Sequence, residues 1–81
     1  MNIELRRQLE ASLPEIIARR EAPRLLGGVV AAGTLANEDC RGTGPAGAFR
    51  IAGRVVYPRE SLLDWLESRS GEIQRRGEKQ A

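Results

Sequence analysis

The sequence has no histidine, one cysteine, one lysine and only three aromatic side chains, Phe49, Tyr57 and Trp65. With Cys40 alone, an internal disulfide is impossible, and no cysteine and histidine cluster exists to hold a structural or catalytic zinc. That usage points to an intracellular, reducing setting. No apolar run approaches the roughly 18 residues that span a bilayer, and the charged opening MNIELRRQLE does not read as a signal-peptide core. A soluble, cytoplasmic chain with no membrane partner is expected. The sole lysine, Lys79, lies in the tail and no G-x-x-x-x-G-K-[ST] is present. RGTGPAG (41–47) is therefore a loop and not a phosphate-binding motif, which excludes nucleotide hydrolysis. Glu60, Asp64 and Glu67 fall on one helical segment, where they complement its dipole or face solvent, and do not read as a general acid and base pair. No enzymatic activity, cofactor or small-molecule substrate is expected.

What is present is arginine. Twelve of the thirteen basic residues are arginine, whose planar fork suits phosphate and guanine. The net charge of +2 is unevenly spread: residues 19–59 come to +4, with Arg19, Arg20, Arg24, Arg41, Arg50, Arg54 and Arg59 against Glu21, Glu38 and Asp39, while each flank comes to −1. The competing reading is a solvated, arginine-biased surface. At 81 residues the chain makes one small domain that buries about two-thirds of its unfolded surface, so aliphatic residues carry most of the core and the aromatics belong at its centre.

Leu5, Leu9 and Leu13 recur at helical spacing and Pro14 ends that helix. The expected organisation is an N-terminal supporting helix (1–14), a folded unit (15–70) and a flexible tail (71–81). Ile16 and Ile17 lead into a short helix over about 20–26, with Pro23 in its opening turn and Gly27-Gly28 as its stop. A third helix is bounded by Gly33 and Gly42; either it is barely more than a turn or two, or it packs through Leu35, Ala36 and Cys40, and Cys40 is expected to be an inert, buried thiol. Two strands follow, AFRI and RVVY, joined by Ala-Gly. Phe49, Ile51, Val55 and Tyr57 are expected on one face, with Arg50, Arg54 and Val56 on the other or at the tip. Pro58 opens a last helix whose Leu62, Leu63, Trp65 and Leu66 span a face about 160° wide. Phe49, Ile51, Val55, Leu62, Trp65 and Leu66 should then form one cluster, with Trp65 a core residue. The fold class is mainly α with a small two-stranded antiparallel hairpin.

This order, and above all FRIAGRVVYPRESLLDWL, resembles the excisionase-like and mercury-resistance-regulator (MerR)-like winged helix-turn-helix domains over about residues 16–69. The shared pattern is arginine, glycine and arginine in a wing, then proline, an acidic residue and Leu-Leu-x-Trp-Leu; RREAPRLLGG matches the first helix and its glycine. The resemblance implies double-stranded DNA as partner, with helix 33–41 in the major groove and hairpin 48–57 as a wing on the phosphate backbone. Thr34 matches the threonine that opens the recognition helix, Arg50 and Arg54 match the wing arginines, and Asn37 falls at a base-reading position suited to adenine. Arg41 with Arg24 or Arg59 would add phosphate contacts, about 4 to 5 in all. Arg19 stands where a serine or threonine cap is usual. Glu38 and Asp39 replace apolar residues and put negative charge near the backbone, so Asp39→Asn should raise nonspecific affinity. The function implied is that of a small transcriptional regulator or an excisionase-like, phage-related recombination or packaging accessory, acting with a second copy or with a recombination or transcription protein. The other class open to the sequence is an interaction module or homodimer with Leu5, Leu9 and Leu13 as its seam. In that class the hairpin arginines only guard an exposed strand edge.

Overall fold

Asn2 accepts the Leu5 amide on its Oδ1 at 2.7 Å and so caps α1, Ile3–Ser12, in the computed structural model, which describes residues 1–71. Side-chain capping of this kind satisfies one of the four amides that a helix start leaves unpaired. Pro14 prevents continuation, and the chain extends into β1, Ile16–Ala18. A 3-10 turn, Arg19–Glu21, leads into α2, Ala22–Leu25, with Pro23 in its first turn. After α3, Ala32–Arg41, come β2, Phe49–Ile51, β3, Arg54–Pro58, and α4, Arg59–Ser68. The described residues thus make four α-helices and one three-stranded antiparallel sheet in the order β1-β3-β2.

The expected two-stranded hairpin is therefore corrected to three strands. Ile16, Ile17 and Ala18 pair with Pro58, Tyr57 and Val56 as a strand of their own before the chain reaches α2. The expected alternation is corrected with it. Across β2 and β3 the partners are Phe49 with Val56, Arg50 with Val55 and Ile51 with Arg54. Paired residues share a face, so a two-residue loop puts Phe49 and Ile51 on the side of Val56, away from Tyr57. Ile17 and Tyr57 are fully buried on the inner face, whereas Phe49 and Ile51 stay 44% and 48% exposed on the outer one. They are not part of the core cluster, which joins Leu13, Ile17, Ala22, Leu26, Val30, Leu35, Tyr57, Leu62, Leu63 and Trp65, with Val55 and Leu66 packed against it.

Both α2 and α3 end in the same hydrogen-bonded motif. Gly27 at φ +65° donates to Arg24 O and Gly28 to Pro23 O; Gly42 at φ +77° donates to Asp39 O and Thr43 to Glu38 O. Glycine tolerates the left-handed residue that this double closure needs. Trp65 Nε1 donates to Thr43 O at 2.8 Å, fixing the loop after α3 to α4.

Arg6 of α1 reaches the acidic row of α4. Arg6 Nη1 meets Glu67 Oε1 at 2.8 Å and Asp64 Oδ1 at 2.9 Å, Nη2 meets Glu60 Oε1 at 3.1 Å, and Nε meets Glu10 Oε2 at 3.3 Å. Leu13 is buried in the core, Leu9 packs against it, and Leu5 remains exposed. The leucine stripe is thus divided between core and surface. No helix among the described residues is long and apolar enough to cross a membrane. From residue 72 onward, the expected tail lies outside the described residues.

Candidate nucleic-acid interface

Leu35 is the one buried residue of α3, and it sets which way the helix faces. Glu38 and Asp39, at i+3 and i+4 from it, turn inward with it. Glu38 accepts the Thr43 hydroxyl at 2.9 Å, is bonded by Arg69, and lies 3.5 Å from Arg41. Its pKa lies below the usual carboxylate value, first because of the Thr43 hydrogen bond and then because of Arg69. Asp39 Oδ2 accepts the Tyr57 hydroxyl at 2.6 Å and Arg19 Nη2 at 2.6 Å, while Arg19 Nε donates to Tyr57 Oη at 3.0 Å. This closed ring joins the 3-10 turn, α3 and β3. Burial, followed by the bond to Asp39, pushes the Tyr57 hydroxyl pKa up; the Tyr57 bond, ahead of Asp39, raises that of Arg19.

Glu38 and Asp39, expected to bring unpaired negative charge to a phosphate backbone, are thus both held by internal donors. Gly44 follows from the same geometry, since a Cβ there would collide with Asp39 Oδ1. Cys40 is exposed, which corrects its assignment as a buried thiol.

With the acids turned inward, the outward side of α3 carries Gly33, Asn37, Cys40 and Arg41, all exposed. Thr34, also exposed, borders a different cleft, with Leu26, Val30 and Trp65. Beside α3 at Ala32 lies a cleft lined by Arg19, Arg20, Arg50, Gly53, Arg54 and Val55. Arg50 reaches it from the inner face of the sheet, beyond the end of the core, and Arg54 from the hairpin tip. Among the described residues, Arg20, Arg50 and Arg54 have no carboxylate within 4.0 Å.

The other arginines expected at the interface are placed elsewhere. Arg24 is bonded to Glu21 through Nε at 2.9 Å and Nη2 at 2.7 Å. Arg59 joins the end of α1 to the start of α4, with Glu60 at 3.2 Å and Leu13 O at 3.3 Å. Sequence reasoning named Arg50 and Arg54 for the site but left out Arg19 and Arg20. The available signal was only the adjacent pair just ahead of the α2 segment, since Glu21 follows it directly and makes the pair look compensated.

Among the described residues, no group of three or more His, Cys, Asp or Glu side chains could hold a metal ion. What the cleft offers chemically is directed N–H donors and uncompensated positive charge, the complement of a phosphodiester oxygen. No family model, curated protein or solved structure matches this chain.

Proposed function

We propose that the protein is a non-enzymatic DNA-binding protein of winged helix-turn-helix type, a small regulator or an excisionase-like recombination accessory. α3 enters the major groove with Asn37 at the base edges, and the β2–β3 hairpin acts as the wing. The observation that carries this reading is the cleft beside α3, where Arg20, Arg50 and Arg54 converge with Arg19 and, among the described residues, no carboxylate lies within 4.0 Å of the first three. Phosphate contacts of this kind give affinity and register, and base contacts give sequence preference. Three such cations predict that log K falls against log salt with a slope of about −3, or steeper if Arg41 takes part. Fluorescence anisotropy with duplex DNA at several salt concentrations tests it: affinity indifferent to salt sinks the reading.

The alternative is a homodimer. It draws on the exposed apolar side chains Ile3 and Leu5 on α1 and Val29 after α2, but it has lost Leu13 from the seam. A sedimentation experiment that finds a dimer, converted to a folded monomer by Leu5→Glu, would put it first.

A further inference from the structure

Within the DNA-binding reading, we infer that Arg19 is a preset phosphate ligand of the cleft and that Tyr57 and Asp39 are the residues that position it. The three groups form a closed ring: Arg19 Nε to Tyr57 Oη at 3.0 Å, Arg19 Nη2 to Asp39 Oδ2 at 2.6 Å, and the Tyr57 hydroxyl to the same Asp39 oxygen at 2.6 Å. Two of the three guanidinium nitrogens are thereby fixed. The third, Nη1, has no role in the ring, while Arg19 itself lines the cleft with Arg20, Arg50 and Arg54.

The ring makes Arg19 unlike its neighbours. Arg20, Arg50 and Arg54 are exposed and must be ordered when they bind, whereas the Arg19 side chain is only 24% exposed and already held. Immobilising a long side chain costs binding free energy, and a side chain fixed beforehand avoids that cost. The planar guanidinium suits this task, because two of its edges can be used internally while the remaining N–H groups keep a set direction. Tyr57 is anchored in turn by full burial at the centre of the sheet, paired with Ile17. The ring thus fixes the floor of the cleft relative to α3, so that a phosphate seated on Arg19 sets how deep the helix enters the groove.

Asp39 cancels most of the Arg19 charge, so this ligand acts through direction more than through counterion release. The salt slope should therefore be set by Arg20, Arg50 and Arg54, with Arg19 governing affinity at a given slope. Tyr57→Phe removes the hydroxyl that orients Arg19 and changes no charge. Its affinity for duplex DNA should fall by up to about fivefold, the worth of one oriented hydrogen bond, at an unaltered slope. A purely structural ring would instead lower the melting temperature and leave affinity at 25 °C as it was. Arg19→Lys, which keeps the charge but loses the fork, should behave as Tyr57→Phe does.

The wild-type protein provides a second measurement that no folding defect can confuse. The Arg19 Nε–H, bonded to Tyr57, should give a protected side-chain NMR resonance that shifts when a short duplex is added. A shift at Arg19, together with weaker binding by Tyr57→Phe at unchanged slope, supports the assignment. A silent Arg19 resonance while Arg50→Ala weakens binding overturns it and leaves the DNA-binding reading standing. If no arginine resonance moves and salt has no effect, both fall.

Discussion

Two arginine clusters in this small domain are built with opposite stoichiometry. Around Arg6, four carboxylates gather on one guanidinium, Glu60 being shared with Arg59; in the cleft beside α3, four arginines converge and, among the described residues, only Arg19 is bonded to a carboxylate, Asp39. In the first cluster the excess is negative and lies at the α1–α4 junction. The bond to Glu67, followed by Asp64, holds the Arg6 pKa far above its ordinary value, and Arg6 in turn keeps that of Glu60 low. In the second cluster the excess among the described residues is positive. Cations without internal partners contribute little to stability, because like charges brought together repel. Their presence beside an exposed helix face is what the proposed DNA contact would account for, whereas the carboxylates of the Arg6 cluster are met from within the fold.

The largest expected effect removes the link between these two regions. Trp65 stands on the helix that carries the acidic stripe, and its indole holds the loop that follows α3. Trp65→Ala should cost about 3–5 kcal/mol, a large share of the stability of such a domain. Thermal denaturation followed by circular dichroism measures it, and a melting temperature within a degree or two of wild type would refute the core assignment.

A second experiment separates the clusters by function. Replacing Arg50 and Arg54 together with alanine should weaken binding to duplex DNA about thirtyfold near 0.15 M salt and flatten the salt slope by about 2. Arg6→Ala should leave affinity and slope as they are and lower the melting temperature, since Glu10, Asp64 and Glu67 would lose their cation and Glu60 would keep only Arg59. Equal effects of the two substitutions on binding would erase the distinction drawn here.

A pH series separates them by stability. Glu38 and Glu60 have folded pKa values below the unfolded one, so the stability they contribute is fully present above about pH 4.3 and lost as pH falls through the folded values. Tyr57 is raised, so its contribution is present below about pH 10 and lost as pH rises through the folded value. A plot of melting temperature against pH should be flat at neutral pH and fall at both ends. Arg6→Ala should shrink the acid limb and Tyr57→Phe the alkaline one. A profile of Tyr57→Phe identical to wild type above pH 10 would contradict the placement of its hydroxyl.

How far these regions could be read from sequence depends on the range of the interactions. α4 was legible because Leu62, Leu63 and Trp65 repeat at helical spacing behind Pro58, and α3 because two glycines bound a segment with one anchor, Leu35. β1 was not: three residues carry no period, and its partner lies about 40 positions away. The parity error in the hairpin has a similar origin, since a two-residue loop fixes which side chains share a face and composition does not. Glu38 and Asp39 read as misplaced surface acids because their partners, Thr43, Arg69, Arg19 and Tyr57, are supplied by other elements. The same holds for Glu60, Asp64 and Glu67, an acidic row at i, i+4 and i+7 whose cation sits on α1. At the basic cleft, charge composition revealed the arginine excess but not which arginines were already paired.

The smallest predicted effect sharpens the basic cluster without touching its charge. Arg50 and Arg54 flank a tip formed by Ala52 and Gly53, which have φ of +52° and +81°. Positive φ at both central residues is the mark of a type I′ turn, whose twist matches the strands it joins and which favours Asn-Gly. Alanine in that region carries a cost of about 1 kcal/mol from its Cβ, which asparagine bears more easily. Ala52→Asn should therefore stabilise the protein by roughly 0.5–1 kcal/mol, seen as a higher urea midpoint at unchanged m-value. Gly53→Ala should move the midpoint the other way; a Cβ there meets no atom within 4 Å, so only backbone strain can act. Because no charge changes, the salt slope for DNA should stay the same in both variants. Opposite shifts in stability at a constant slope would show that the hairpin arginines are carried on a strained support whose geometry the sequence around Ala52 leaves open to improvement, and an unstabilised Ala52→Asn would show that the tip is not a type I′ turn.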